Sequence, residues 1–462
     1  MDRHWAGAKS YFATFLRQGV VRSIAVLVGG TVAAHTITAL SMPISTRLFT
    51  PADFSVAAAF SSLVGIFSAA ACLRFDMAIP LPEDETEAAD LLVLSVLTAL
   101  AVAVVLGVTI ALLPQSVFSL LKQPALEGWL WLLPVGVTIG GTYLALQMWF
   151  VRHKSFAGIA SSRIAQSTSA AVGQISLGLA GYAPLGLIVG QLFNYGAGSA
   201  WLGCAVLIKN RVSLRSVSLR GIAQAVSKYR RFPLFSTWEA LANAASIHAP
   251  MLLIAALTDT PEAGYLTLAI FLLQMPMALV GNAVGQIYIS QAPERFREGQ
   301  LADYTSVTIT HLARLSAGPL MLIAVLSPRI FGLVFGPGWD RAGTLAAWMA
   351  PWFFMQLLAV PVSTALHIVG RQQAAMVLQI GGLVLRLAAV ALSLLVAMDI
   401  VAEAYAVSGF VFYAVYLFVV GRSTGMRSAE VIGSIARSIP FALLGGLMAW
   451  GLLLVASQVF DV

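Results

Sequence analysis

The sequence predicts an all-α protein that crosses a membrane many times, and three observations lead to this fold class. First, 59% of its 462 residues are hydrophobic and only 10% are charged, whereas a soluble protein of this length carries more charge on its surface. Second, apolar runs of about 20 residues, enough for a helix to span a bilayer, recur along the whole chain. Third, the basic residues lie in short connections between these runs. The net charge of +7 therefore reflects membrane topology and not a nucleic-acid partner.

The apolar runs predict thirteen membrane-spanning helices, near 22–45, 55–78, 88–113, 129–151, 158–181, 184–208, 232–257, 262–290, 304–327, 341–366, 373–397, 399–421 and 437–459. The last run follows a polar linker, so we expect twelve core helices and one appended helix. The predicted domains are a cytoplasmic N-terminal segment at 1–21, an N-lobe at 22–208, a basic cytoplasmic loop at 209–231, a C-lobe at 232–421 and an extra span at 437–459. The first segment is a candidate interfacial amphipathic helix.

The distribution of lysine and arginine predicts which helix ends face the cytoplasm. With the N-terminus inside, the inner connections receive most basic residues, seven of them in the loop 209–231, and the other side receives only Arg47, Lys122, Arg329 and Arg341. Because cytoplasmic loops carry the excess of basic residues, we predict a cytoplasmic N-terminus. The loop 209–231 either serves topology alone or also binds anionic lipid or a cytoplasmic partner.

Two pairs of similar segments predict an internal repeat. Thr50-Pro51-Ala52-Asp53 and Thr260-Pro261-Glu262 both read as helix starts, with Thr as cap, Pro at the first helical position and an acid in the first turn. One hairpin later, residues 117–120 match residues 330–333. We therefore expect two parallel six-helix lobes around a central cavity, related by an axis along the membrane normal.

Several segments resemble one membrane-protein family. The chain is similar to the polysaccharide-translocase branch, which contains the Wzx-like O-antigen flippases, of the multidrug/oligosaccharidyl-lipid/polysaccharide exporter superfamily. One position departs from the pattern, because a glycine is usual where this chain has Ser55. The similar segments are Arg47–Phe54, Leu73–Pro82, Tyr229–Ser236, Gly264-Tyr265 and Gln274–Gln286.

The resemblance implies a function without a cofactor. Members of that branch move undecaprenyl-diphosphate-linked oligosaccharides across the bacterial inner membrane by alternating access, for lipopolysaccharide or exopolysaccharide biosynthesis. Expected partners are that lipid-linked oligosaccharide, membrane lipids, and possible contacts with polysaccharide polymerase and glycosyltransferases.

Two other functions stay open at this point. A cation-coupled multidrug exporter shares the fold and needs membrane-embedded acids, for which Glu239 is the main candidate. A polymerase or ligase acting on the same lipid carrier usually has a large outer loop, whereas the outer connections near 114–128 and 328–340 are short. The sequence shows no catalytic motif and no zinc-ligand spacing, and its two cysteines, Cys72 and Cys204, lie in apolar runs.

Four arginines are candidate ligands for the pyrophosphate of such a cargo. Arg386 lies midway along a predicted span, where a charge is costly and functional by default; the alternative is a structural pairing between helices. Arg314 lies about ten residues into its span and either faces a cavity or reaches the membrane surface. Arg47 and Arg74 lie near span ends, where anchoring at the interface is the main alternative, and Arg74 has Asp76 as a neighbour.

Polar residues at helical spacing are further candidates for lining the cavity and binding the glycan. They fall on the first helix of each predicted lobe and on two later spans, where a local hydrogen bond to the preceding turn or to another helix is the alternative. The candidates are His35 (with Thr31, Thr38 and Ser45), Glu239 and Asn243 (with Ser246), Asn282 and Gln286, and Gln379 (with Gly382, Arg386 and Ser393).

Overall fold

The computed structural model describes residues 20–114, 124–209, 215–258 and 260–460, and within these ranges it contains helices and no strand. The predicted interfacial helix at the N-terminus falls almost wholly outside these ranges, as does the repeat segment 117–120. The predicted all-α fold class is confirmed. The arrangement of two lobes around a central cavity stays a prediction.

Long helices follow one another along the described ranges, and each predicted apolar run contains at least one of them. Ten of the described helices are long and apolar enough to cross a membrane, so the chain is a multi-pass membrane protein. The long helices are α1 Val20–Leu48, α2 Pro51–Ala71, α3 Glu85–Leu112, α4 Leu133–Arg152, α5 Phe156–Leu179, α6 Leu185–Lys209, α7 Thr237–Leu257, α8 Glu262–Pro276, α9 Asn282–Arg297, α10 Leu301–Phe335, α11 Asp340–Val362, α12 Gln372–Val396, α13 Val401–Thr424 and α14 Ile439–Phe460.

The two helix starts that suggested a repeat are both present, but only one has the predicted cap. At the start of α2, the Thr50 N–H donates to Asp53 Oδ2 (2.8 Å) and the Asp53 N–H donates to Thr50 Oγ1 (3.3 Å), which is a reciprocal capping box. Helix α8 begins at Glu262, one residue after Pro261, and no side chain caps it. Among the described residues, the expected threonine cap at the second start is therefore absent.

The chain forms two compact units. Among the described residues, the first comprises 20–41, 63–114, 125–209 and 215–244, and the second comprises 42–62, 124, 245–258 and 260–460. In the first unit, α4 packs against α3 and α6, and α5 packs against α6. In the second unit, α11 packs against α8, α10 and α13, while α10 also packs against α14. The facing ends of α1 and α2, residues 42–62, belong to the second unit.

A short amphipathic helix in the basic loop, Leu219–Lys228, packs against α3 of the first unit. Ser218 caps this helix by accepting the Gly221 N–H (3.0 Å), and the Ser218 N–H donates to Asp90 Oδ1 (3.2 Å) on α3. Lys228 donates to Glu87 Oε1 (2.6 Å), and this hydrogen bond raises the pKa of Lys228. The described part of the loop is therefore held against the start of α3.

Candidate functional site

Arg386 in α12 is the buried cation of the second unit. Its side chain is 8% exposed, and its Cζ lies 4.5 Å from the ring centroid of Phe412, with Tyr413 at 5.7 Å and Trp352 at 5.8 Å. Within the described ranges, its Nε has no hydrogen-bond partner and no carboxylate lies within ion-pair distance. The aromatic rings stabilise the charge by cation–π attraction but supply no counter-ion.

A glycine one turn before Arg386 makes this arrangement possible. A Cβ on Gly382 would lie 2.4 Å from the Phe412 ring, so any larger residue would displace the ring that faces Arg386. Of the predicted polar stripe, Gly382, Arg386 and Ser393 lie on the buried face of α12, whereas Gln379 is exposed. The Ser393 hydroxyl donates to the Val390 carbonyl (2.8 Å), the local bond that was the alternative for such residues.

The two repeat-related helix starts touch each other within the second unit. The Gly264 N–H points at both Ser55 Oγ (2.8 Å) and the Pro261 carbonyl (2.9 Å). A Cβ on Gly264 would lie 2.0 Å from the Pro51 carbonyl oxygen, so this close approach requires glycine. Ser55, the residue that departs from the family pattern, supplies the side-chain acceptor of this contact.

Trp339 completes the contact between these helix starts. Its ring is 1% exposed and meets Phe54 (5.0 Å between centroids) and Tyr265 (6.1 Å) edge to face. Its Nε1 donates to the Thr46 carbonyl (2.9 Å), which gives the buried indole N–H an acceptor. We call residues 46–55, 261–265 and Trp339 the hairpin contact.

Arg47 is exposed, and its guanidinium is bonded to backbone at the hairpin contact. Its guanidinium donates to the carbonyls of Pro43 (3.0 Å) and Leu333 (3.2 Å). Two of its donors are therefore occupied by backbone oxygens, as expected for an anchoring residue at a span end. This environment weakens the case for Arg47 as a pyrophosphate ligand.

An ion network at the starts of three helices lies in the same unit. Arg341 at the start of α11 donates to both carboxylate oxygens of Glu262 on α8 (3.1 and 3.3 Å) and of Glu403 on α13 (2.5 and 3.0 Å). Bidentate geometry makes such pairs strong. The network joins α8, α11 and α13, and one guanidinium is shared between two carboxylates.

The first unit has its own cation within an apolar segment. Arg163, two turns into α5, donates to Thr31 Oγ1 on α1, and Thr31 in turn donates to the Leu27 carbonyl (2.8 Å). The two helices approach closely, since a Cβ on Gly30 would lie 2.5 Å from Ala160 Cβ. His35, one turn beyond Thr31, is partly buried. The predicted stripe on α1 therefore has a basic neighbour that its own sequence did not reveal.

The segment after α2 places a partly buried arginine beside a buried acid. Leu73 and Arg74 both have left-handed backbones, with φ of 47° and 61°, which strains residues other than glycine. Asp76 is 3% exposed, and burial raises its pKa while the Arg74 guanidinium partly offsets the rise. The Arg74 Nε is buried without a hydrogen-bond partner among the described residues. The predicted proximity of Arg74 and Asp76 is present, but no ion pair within 4 Å joins them in those ranges.

Comparison with known families decides the identity of the chain. A family model described as "Polysaccharide biosynthesis protein" matches residues 44–343, well over half of the sequence. The chain belongs to the polysaccharide biosynthesis protein family. The matched range contains the whole hairpin contact, whereas Arg386 lies beyond it. No curated protein matches the chain.

Solved structures show which fold this polysaccharide biosynthesis protein has. The lipid II flippase MurJ, in an inward closed conformation, has a TM-score of 0.66 at 11% identity, covering 96% of this chain and 99% of its own. An inward-facing multidrug resistance MATE family transporter of the MOP superfamily has a TM-score of 0.55 at 14% identity, covering 88% and 94%. The Vibrio cholerae MATE transporter VcmN has a TM-score of 0.52 at 11% identity, covering 88% and 97%.

These similarities confirm the family resemblance read from the sequence. The fold of this polysaccharide biosynthesis protein is one that the lipid II flippase MurJ and the MATE transporters also have. Within the described ranges, no group of three His, Cys, Asp or Glu side chains could hold a metal ion.

The other predicted site residues are mostly exposed. Arg314 lines a cavity of about 890 Å³ between α10 and α14, together with His311 and Phe441. In the first unit, Glu239 and Asn243 are exposed on α7. In the second unit, Asn282 and Gln286 are exposed on α9. Both asparagines have an interaction partner. Their roles as glycan ligands stay predictions.

Sequence reasoning missed four residues that organise these sites. Arg163 and Arg341 were counted only as topological charges, although each bonds to a side chain on another helix. Gly264 lies in one of the segments that resemble the family, and Trp339 lies in the outer connection 328–340. No role was predicted from the sequence for either residue. A glycine after a helix start and a tryptophan in a Gly-rich turn were the available signals.

Proposed function

We propose that the chain is a flippase that moves an undecaprenyl-diphosphate-linked oligosaccharide across the bacterial inner membrane by alternating access. In this role the N-terminus is cytoplasmic, and the protein works between glycosyltransferases that build the cargo and a polymerase that consumes it. The product is a surface lipopolysaccharide or exopolysaccharide. Membership of the polysaccharide biosynthesis family and a fold shared with a lipid II flippase support a lipid-linked cargo.

The uncompensated charge of Arg386 is the observation that carries this proposal. An arginine at the centre of a membrane-spanning helix costs about 3 kcal/mol, and such residues usually pair with an acid. Arg386 lies about midway along α12 and, within the described ranges, has aromatic rings in place of a carboxylate. A pyrophosphate supplies the missing anion, and the planar guanidinium can bind phosphate oxygens through two parallel hydrogen bonds.

Arg163 supports an anionic cargo independently, from within the first unit. This arginine is partly buried and lies beside a hydroxyl (Thr31) and one turn from an imidazole (His35). A guanidinium has five N–H donors, so Arg163 keeps donors for a phosphate beside its bond to Thr31. Of the predicted pyrophosphate ligands, Arg386 is the strongest, Arg314 and Arg74 keep free donors, and Arg47 is the weakest.

Substitution of Arg386 tests the proposal. Arg386→Ala should abolish or strongly impair transport, and Arg386→Lys should restore part of it, because charge is kept while the planar fork is lost. Arg329→Ala is the matched control, since this arginine is exposed near the end of α10 and is not part of the Arg386 site. Surface polysaccharide in a complementation strain is measured together with protein abundance. Exposure of the lipid-linked oligosaccharide to an outside enzyme is then measured in proteoliposomes.

Full activity of Arg386→Ala at normal abundance would remove the anion-binding role of this residue. If Arg163→Ala and Arg314→Ala were also fully active, a cation-coupled multidrug exporter would become the leading function. That function requires a membrane-embedded acid, so Glu239→Gln would then have to abolish drug efflux.

A further inference from the structure

A pocket at one end of the α12–α13 hairpin combines basic and apolar surfaces. It has a volume of about 600 Å³ and is lined by Arg371, Arg422, Ser423 and Ser428 at its polar end, and by Ala414, Val415, Phe418 and Val419 along its apolar wall. All of these residues belong to the second unit. None of them is used in the proposed transport site.

The two arginines are placed together by the antiparallel hairpin. Arg371 immediately precedes α12 and Arg422 lies in the last turn of α13, so both are at the same end of the hairpin. The Arg371 guanidinium donates to Ser423 Oγ (3.5 Å). Within the described ranges, no carboxylate pairs with either arginine. The nearby acid, Glu430, accepts the backbone N–H of Arg427 (3.0 Å).

The apolar wall continues from Arg422 towards the middle of the membrane. Val415, Phe418, Val419 and Arg422 recur at helical spacing, so they share one face of α13. At a rise of about 1.5 Å per residue, the wall extends roughly 10 Å along the helix from Arg422. Val415 is 49% exposed, which shows that this face of α13 is open to its surroundings.

We propose that this pocket binds one anionic membrane phospholipid, with the phosphate between Arg371 and Arg422 and an acyl chain along Val415 and Phe418. Two cations without an acid, next to hydroxyl donors, complement a phosphodiester. The adjoining apolar wall complements a hydrocarbon chain, and basic pockets between membrane helices at the interface bind such headgroups. The site is separate from Arg386 and does not depend on the identity of the cargo.

Lipid binding to the purified full-length protein tests this proposal. Phosphatidylglycerol is compared with phosphatidylcholine of the same acyl chains, and with glycerol 3-phosphate as a headgroup without chains, by native mass spectrometry and thermal-shift titration. We expect phosphatidylglycerol to bind and stabilise the protein, and the other two compounds to bind much more weakly. The double variant Arg371→Gln/Arg422→Gln should bind phosphatidylglycerol about thirtyfold more weakly, the loss expected for two interfacial arginines.

Two further variants separate the pocket from general surface charge. Ala414→Trp fills the apolar wall without changing charge and should also weaken phosphatidylglycerol binding. The control Arg297→Gln/Arg329→Gln removes two exposed arginines outside the pocket and should leave binding unchanged. Equal loss in the control, equal binding of glycerol 3-phosphate, or undiminished binding by Arg371→Gln/Arg422→Gln would each overturn the proposal.

Discussion

Gly264→Ala is the substitution that tests the hairpin contact most directly. Its added Cβ would lie 2.0 Å from the Pro51 carbonyl oxygen, 2.9 Å from the Pro51 carbonyl carbon and 3.1 Å from the Ser55 nitrogen, whereas ordinary contact begins at 3.4 Å. All three neighbours are backbone atoms, which cannot rotate away. The starts of α2 and α8 must therefore separate by roughly 1 Å or more, as the overlap with the carbonyl oxygen requires.

The size of the effect follows from two destabilising contributions and one stabilising contribution. Overpacking of this kind costs about 1–3 kcal/mol, and losing the Ser55 hydrogen bond adds up to about 1 kcal/mol. The bond is shared with the Pro261 carbonyl, so the amide keeps one partner. Alanine gains about 1 kcal/mol over glycine in a helix. The net destabilisation of the contact is therefore about 1–3 kcal/mol, which shifts its opening roughly 5- to 150-fold.

Thiol labelling measures this opening. In a Cys72→Ser/Cys204→Ala background, which removes both native cysteines, Thr46→Cys introduces a thiol at a residue that is 4% exposed next to Trp339. An impermeant maleimide should label it at least about fivefold faster in Gly264→Ala. Gly196→Ala is the matched control, because its nearest neighbouring atom is 4.0 Å away. Identical labelling rates in Gly264→Ala, Gly196→Ala and the parent would refute the role assigned to the contact.

Two other predictions concern topology and the ion network. Single cysteines at Arg220 or Arg230 should be protected from an impermeant reagent added outside intact cells, while a cysteine at Ala52 should be labelled; the reverse pattern would contradict the predicted orientation. Arg341→Gln should lower the free energy of unfolding by about 2 kcal/mol, because it leaves the partly buried Glu262 and Glu403 unpaired. The control Arg295→Gln breaks only an exposed pair with Glu298. It should change the free energy of unfolding by less than about 0.5 kcal/mol in a denaturation series. Equal changes in both variants would count against the network.

The helices could be predicted from the sequence because their cause is local. Twenty apolar residues must satisfy their backbone groups within one helix in a membrane, so each apolar run contains a helix. The start of α2 was also predictable, since the capping box uses Thr50 and Asp53, three residues apart. The start of α8 has the same Thr-Pro-acid pattern but uses its acid differently, because Glu262 bonds to Arg341.

The contacts of the candidate sites could not be predicted because they join distant residues. Arg341 lies 79 residues from Glu262 and 62 from Glu403, and nothing in its local sequence distinguishes it from a topological charge. Trp339 donates to a carbonyl 293 residues away. The repeat predicted that Pro51 and Pro261 have equivalent positions, but equivalence does not require that the two segments touch.

Arg386 shows where sequence reasoning reaches its limit in this chain. Its depth in an apolar run was visible, and depth alone makes an unpaired charge costly. Its partners were not visible, because Trp352 and Phe412 come from two other helices and the close approach depends on Gly382. Had an acid been packed there, the same arginine would be a structural link like Arg341. Because aromatic rings take that place, the charge is tolerated but not neutralised, which supports the anion-binding role that we propose for Arg386.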